Sequence, residues 1–168
     1  MRSAGLAVAS AIALSTLALV GACSTPADSR VVETPPDAAS FAPVAQMLVH
    51  HCGSLDCHGM PQRNLRLYGN EGLRLDPGDR PLHPALTTAA EVTEDYLSTI
   101  ALEPELTSAV VAAGGAHPER LTLVRKARGQ EAHKGGSLIH EGDDSDTCLT
   151  SWLANKTDAD ACKRALTP

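Results

Sequence analysis

Aromatic residues are scarce in this chain of 168 residues, which has one Phe, two Tyr and one Trp. Large rings supply much of the buried area in ordinary cores. A domain with so few of them must build its core from Leu, Val and Ala, or around a group that is not protein.

The chain also lacks a basic surface. It carries 14 Lys and Arg against 20 Asp and Glu, for a formal net charge of −6 at pH 7, and its basic residues form no block. Nucleic acids and anionic membranes attract proteins through clustered Lys and Arg. Neither is therefore expected as an electrostatic partner.

Common catalytic motifs are missing as well. The sequence has no Gly-rich phosphate loop, no Gly-x-Ser-x-Gly and no His-Glu-x-x-His. The acidic run of Asp143, Asp144 and Asp146 lacks the Gly and the distal Glu of a calcium loop. It suits the first turn of a helix better. We therefore expect no enzyme activity.

An export signal opens the chain. Arg2 precedes an apolar run over residues 6–20, and Val-Gly-Ala then leads to Cys23. The run is too short to remain comfortably as a membrane-spanning helix. The pattern resembles the lipobox of bacterial lipoproteins, which implies removal of residues 1–22, lipidation of Cys23 and a periplasm-facing location, with Ser24 indicating the outer membrane. An ordinary signal peptide with a chance Cys is the alternative.

A tether and then a helical domain follow. Residues 23–40 are small, polar and rich in Pro, which predicts a flexible linker. Over residues 41–168, apolar residues recur at helical spacing and no segment reads as a convincing strand. We predict an all-α domain with helices near residues 43–51, 88–100, 104–113 and 119–128, and a C-terminal helix holding Cys148, with a last turn that carries Cys162.

The five cysteines divide by position. Paired thiols tend to oxidise outside the cytoplasm. With Cys23 assigned to lipid, Cys148 and Cys162 in the C-terminal segment are predicted to form a disulfide worth about 3 kcal/mol. Two free buried thiols are the alternative. Cys52 and Cys57 remain.

Residues 51–59, HCGSLDCHG, are the most chemically specific stretch. Four residues separate Cys52 from Cys57, and His58 follows directly. A thiol pair with an adjacent imidazole can attach haem covalently, bind a metal such as zinc, or close a small disulfide loop. Haem attachment requires the His directly after the second Cys, because thioethers and iron ligand act from one turn.

This stretch resembles cytochromes c, in which two residues usually separate the cysteines and a four-residue variant is known in some multihaem proteins. More closely, the chain is similar to exported single-haem proteins and lipoproteins of planctomycetes and myxobacteria. The similar segments are a helix entering the Cys-His stretch (44–58), a Leu-Arg-Leu stretch (64–68), a loop (133–136) and a Trp-Leu helix (148–153). The resemblance implies a small cytochrome c-like domain with one haem c, attached at Cys52 and Cys57, and with His58 as an iron ligand.

The second iron ligand is predicted by elimination. The family usually presents Met from a loop before the last helix. Here Met47 lies on the entering helix, on the same side of the haem as His58. Met60 is only two residues beyond His58, and its reach of at most roughly 7 Å is too short to pass round the edge of the haem to the other side of the iron. The loop instead offers His133, so we predict ligation by His58 and His133. A solvated loop residue is the alternative for His133.

These observations predict a lipid-anchored electron carrier that exchanges electrons with a redox partner protein in the cell envelope. A disulfide-stabilised lipoprotein without a cofactor and a Cys/His metal-binding module remain as alternatives. The residues expected to line the haem site are Leu48, Leu65, Leu67, Tyr68 and Trp152.

Overall fold

The structure is a computed structural model that describes residues 33–79 and 87–167. The predicted signal sequence, the lipidation site Cys23 and the first part of the predicted tether lie outside the described residues. Within the described ranges, no helix is both long enough and apolar enough to cross a membrane.

The described part of the chain is helical, with 45% helix and almost no strand. This confirms the all-α class. The α-helices are α1 (Ala42–Cys52), α2 (Ala89–Ile100), α3 (Pro104–Ala112), α4 (Thr122–Ala127), α5 (Asp144–Leu153) and α6 (Ala159–Arg164), with a 3-10 turn at Pro118–Arg120.

Local capping explains where several helices begin. The side chain of Thr88 accepts a hydrogen bond from the backbone N–H of Glu91, and the Glu91 carboxylate accepts one from the backbone N–H of Thr88, which forms a capping box at α2. Asp143 accepts from the backbone N–H of Asp146 at 2.7 Å and caps α5. The acidic run therefore caps a helix, as the sequence predicts.

One predicted helix is divided. Residues 118–128 form a 3-10 turn and then the short helix α4, with Leu121 in an extended conformation between them. The extended backbone at Leu121 interrupts helical hydrogen bonding. The side chain of Leu121 is 3% exposed and belongs to the hydrophobic core. The helix is therefore interrupted at a residue that packs in the core, and tertiary packing outweighs local helix propensity there.

The core forms around α1, which packs against α2, α5 and α6. Val44, Met47 and Leu48 of α1 are at most 1% exposed. The ring centroids of Phe41 and Trp152 lie 4.7 Å apart at the end of this core. Each fully buried side chain of this kind contributes about 1.5–3 kcal/mol, so few aromatic residues suffice when the aliphatic ones are this well enclosed.

The segment just before α1 packs against the helices, although the sequence places it in the tether. The hydroxyl of Tyr96 donates to the carbonyl of Pro36, and the indole N–H of Trp152 donates to that of Asp37, both at 2.9 Å. The backbone N–H of Asp37 donates to the side chain of Asn155 at 2.9 Å. These long-range partners are invisible in local composition.

A disulfide joins α5 to α6 through Cys148 and Cys162, with a sequence separation of 14. Both residues are at most 1% exposed. The predicted pair is therefore present, and it fixes the C-terminal helix against the helix that carries Trp152.

A buried ion pair attaches the long loop after residue 60 to α2. The Arg74 guanidinium donates to both carboxylate oxygens of Glu91, at 2.7 and 3.0 Å, and both side chains are at most 2% exposed. Burial alone would raise the pKa of Glu91, but hydrogen bonds from Arg74 and from the backbone of Thr88 and Leu75 hold it below its ordinary value.

Candidate functional site

The Cys-His stretch forms a compact turn at the end of α1. The backbone N–H of His58 donates to the carbonyl of Cys52 at 2.9 Å, and those of Cys57 and Gly59 both donate to the carbonyl of Ser54 at 2.9 Å. These bonds fold the chain back on itself. His58 therefore lies beside Cys52 although five residues separate them.

Close backbone approach explains the glycines here. A Cβ atom at Gly59 would lie 2.0 Å from the carbonyl oxygen of Gly53, and one at Gly72 would lie equally close to the same oxygen. No other residue type fits at these two positions without moving the backbone. Gly72 also forms an isolated bridge with Ser54, which holds the Leu-Arg-Leu loop against the turn.

Arg63 secures the same turn from outside. Its Nε donates to the carbonyl of Cys57 at 3.0 Å, and its Nη2 donates to that of Asp56 at 3.3 Å. Both backbone groups of the half-buried Cys57 are thus bonded. Its N–H donates to Ser54 within the turn, and its carbonyl accepts from the Arg63 guanidinium.

The imidazole of His58 is oriented by a backbone carbonyl. Its Nδ1 lies 2.9 Å from the carbonyl oxygen of Leu65. Because a carbonyl only accepts, Nδ1 carries the proton and Nε2 keeps its lone pair in the neutral ring. Burial lowers the pKa of His58, opposed by the bond to Leu65 and aided by the nearby His133 and Arg63. A neutral, oriented imidazole with a free Nε2 is the state that binds metals.

His133 lies next to His58. The two ring centroids are 5.8 Å apart and the ring planes are inclined by 25°. The rings are thus nearly parallel, at a centroid distance within the range of about 4.5–7 Å in which offset ring pairs occur. The Nδ1 of His133 makes a long 3.4 Å contact with the carbonyl of Gly136. The tertiary fold therefore brings together the two histidines that the sequence predicts as iron ligands.

Both histidines line a cavity of about 360 Å³, within the size range of sites that hold small molecules and cofactors. Cys52 reaches the same cavity, and no carboxylate among the described residues lines it. Its apolar wall consists of Leu65, Leu102, Leu123, Ala127 and Leu138. Polar and charged side chains also line it, those of Gln62, Arg63, Asn64, Thr122 and Lys126. The site is thus a partly apolar cavity that contains two imidazoles and a thiol.

The two cysteines of the turn differ in environment. Both are free thiols. Burial, with a smaller effect of Cys57, raises the pKa of Cys52 to about 12, so that this thiol stays protonated at neutral pH. Cys57 is half-buried and does not itself line the cavity.

Most of the expected wall residues are elsewhere. Leu65 lines the cavity as expected, whereas Leu48 and Leu67 belong to the main core and Trp152 borders a separate small cavity. Tyr68 lies at a surface groove beside Arg66. The wall is built instead by α4 and by Leu102 and Leu138 of flanking loops. Sequence offers no signal for this, because local spacing does not say which helix covers a given turn.

Other candidate ligands are not part of the cavity. Met47 is fully buried inside α1, and neither it nor Met60 lines the cavity. Within residues 33–79 and 87–167, no group of three or more His, Cys, Asp and Glu side chains is arranged to hold a metal ion. The predicted site residues that do meet are Cys52, His58 and His133.

The chain matches no protein-family model, no curated protein and no solved structure.

Proposed function

We propose that this protein is a lipid-anchored electron carrier of the bacterial cell envelope, with a cytochrome c-like domain that holds one covalently bound haem. Cys52 and Cys57 attach the haem, and His58 and His133 bind its iron. The observation that carries the proposal is the pairing of the two imidazoles, with ring centroids 5.8 Å apart, at a cavity with an apolar wall that Cys52 also lines.

The donor set fits haem better than an isolated metal ion. Two imidazoles are the protein ligands that a haem iron needs, and His58 and His133 supply that number at one cavity. A structural zinc ion needs four protein ligands, and no group of even three is assembled in the described residues.

The side chains have separate tasks. Leu65 orients His58 through its carbonyl and contributes its side chain to the apolar wall. The apolar part of the wall lowers the polarity around a bound centre, which tunes its reduction potential. When bound, haem supplies an iron that accepts and releases one electron. Ligation by two histidines predicts a lower reduction potential than ligation by His and Met.

The N-terminal sequence is the basis for the proposed membrane anchor and for the location of the redox partner. Acylation at Cys23 would hold the domain at the membrane, facing the periplasm, and a soluble or membrane-bound redox protein of the envelope would exchange electrons with it. Labelling with a radioactive fatty acid tests the anchor, and Cys23→Ala is expected to abolish the label and release the protein from membranes.

The haem proposal is tested by expressing the full chain with cytochrome c maturation factors. A denaturing gel stained for haem peroxidase activity is expected to show covalent haem in the wild type, and a double variant with Cys52→Ser and Cys57→Ser is expected to show none. His140→Ala, which changes an exposed histidine outside the cavity, serves as the control and is expected to stain fully.

An unstained wild-type band contradicts the proposal. Mass spectrometry of the same sample then separates the alternatives. A mass lower by two hydrogen atoms, with Cys52 joined to Cys57, indicates a cofactor-free, disulfide-stabilised lipoprotein. Retention of a metal after dialysis indicates a Cys/His metal-binding module.

A further inference from the structure

We propose that Glu131 is the positioning residue that holds His133 beside His58, by joining the loop of His133 to two cations of α4. The inference deepens the proposed function and rests on it for the role of His133 as a ligand. The joining itself is a property of the protein without cofactor and can be measured there.

Glu131 binds two neighbouring cations at once. Its Oε2 accepts from the Nε of Arg125 at 3.0 Å, and its Oε1 lies 3.0 Å from the Nζ of Lys126. The three side chains are each about one-third exposed. A single exposed ion pair contributes little. A carboxylate shared by two adjacent cations is a network, and it restricts the loop more than either pair alone.

The cations themselves are held in place. Arg125 also donates to the carbonyls of Glu119 and Arg120 and, at 2.9 Å, to the hydroxyl of Thr122. Four of the five N–H groups of this guanidinium are therefore bonded, to the 3-10 turn, to α4 and to Glu131. A carboxylate bound here is anchored to these elements.

Only one residue separates Glu131 from His133. The carbonyl of that residue, Ala132, accepts from Lys126 at 3.1 Å, so the loop is attached to α4 at two consecutive positions. Beyond the histidine, the N–H of Gly136 donates to the carbonyl of His133 at 3.0 Å and closes a turn. The position of the imidazole is thereby set from both sides.

Gly135 leaves room for the imidazole beside this turn. A Cβ atom at this position would be 3.1 Å from Cε1 and 3.4 Å from Nδ1 of His133. The ring therefore rests on the backbone of its own loop. Because that loop is short, a displacement at Glu131 passes directly to the ring.

Glu131 also affects the charge at the cavity, because it pairs with Lys126. This lysine lines the cavity together with both histidines. With Glu131 beside it, its charge is balanced at the edge of the cavity. Without Glu131, an unbalanced cation would adjoin the site and disfavour further positive charge there.

The test compares Glu131→Ala and Glu131→Gln with the control Glu141→Gln. Glu141 also forms an ion pair, with Arg128 at 3.3 Å, but does not line the cavity. In the apoprotein, we expect faster amide hydrogen exchange over residues 131–136 in both Glu131 variants and unchanged exchange in the control, with thermal unfolding curves verifying that all variants fold.

In the haem-loaded protein, we expect the Glu131 variants to lose part of the low-spin ferric absorption and to bind added imidazole about tenfold more tightly, as follows from a tenfold larger fraction of molecules with His133 displaced. Unchanged exchange over residues 131–136 overturns the proposal whether or not haem binds. Faster exchange with unchanged imidazole affinity overturns the positioning of His133.

A wild type without covalent haem contradicts the proposed function. The exchange of the apoprotein still decides whether Glu131 holds the loop.

Discussion

The imidazole rings of His58 and His133 lie 5.8 Å apart between centroids although they come from segments far apart in the sequence. His58 belongs to the turn after α1, and His133 to the loop after α4. No hydrogen bond joins the two rings. Their proximity is produced by how the two segments are held, and each can be changed independently of the other.

Replacement of His133 tests the second iron ligand. We expect His133→Ala to convert the ferric haem spectrum from low-spin to high-spin and to allow binding of added imidazole. His133→Met is expected to raise the reduction potential by a part of the roughly 0.8 V range that axial ligands span. The measurements are optical spectroscopy and potentiometric titration.

The exposed His140 supplies the control for this experiment. His140→Ala is expected to leave both spectrum and potential unchanged. If the His133→Ala spectrum equals that of the wild type, His133 is a surface residue and another group completes the coordination.

Gly59→Ala is expected to destabilise the fold by about 1–3 kcal/mol, because the new Cβ would lie 2.0 Å from the carbonyl oxygen of Gly53. Urea unfolding of the apoprotein measures the effect. Gly78→Ala is the matched control, since its nearest neighbour is the end of the flexible Asp76 side chain at 3.2 Å. Equal stabilities of the two variants would show that the turn relaxes freely.

Asp95 is expected to make the protein less stable as the pH rises. Its side chain is fully buried, and burial raises its pKa to about 8, against a hydrogen bond from the backbone of Tyr68 and with help from Glu91 and Glu94. The folded protein therefore binds a proton that the unfolded chain releases near pH 4. This contribution is fully present below pH 4 and is lost as the pH rises to 8.

Asp95→Asn keeps an acceptor for the backbone N–H of Tyr68 but cannot ionise. The difference in unfolding free energy between variant and wild type is therefore expected to grow in favour of the variant between pH 4 and 8, with a slope of at most about 1.4 kcal/mol per pH unit. Parallel pH profiles would show that Asp95 titrates normally.

Removal of the C-terminal disulfide is expected to cost about 3 kcal/mol, since the unfolded chain regains the freedom of the closed loop. A double variant with Cys148→Ala and Cys162→Ala should unfold at lower urea concentration than the wild type. Reductant should lower the stability of the wild type and leave the double variant unchanged. A large effect of reductant on the double variant would point to another disulfide.

Sequence reasoning predicts the elements of this domain well where the determinants are local. Thr88 and Asp143 begin α2 and α5 because their side chains bond to backbone groups three residues ahead. The sequence does not predict the structure of a segment whose contacts are made with residues far away along the chain. Pro36 and Asp37 have tether-like composition but are held by Tyr96 and Trp152.

The candidate site divides in the same way. The spacing of Cys52, Cys57 and His58 is a property of the sequence, whereas the turn that brings them together also depends on contacts with Gly72 and Arg63. The proximity of His133, the cavity between the histidines and its wall of α4 and loop leucines are decided by tertiary packing. Local spacing sets which face of a segment is apolar, but only the close packing of all helices at once decides which distant segment covers it.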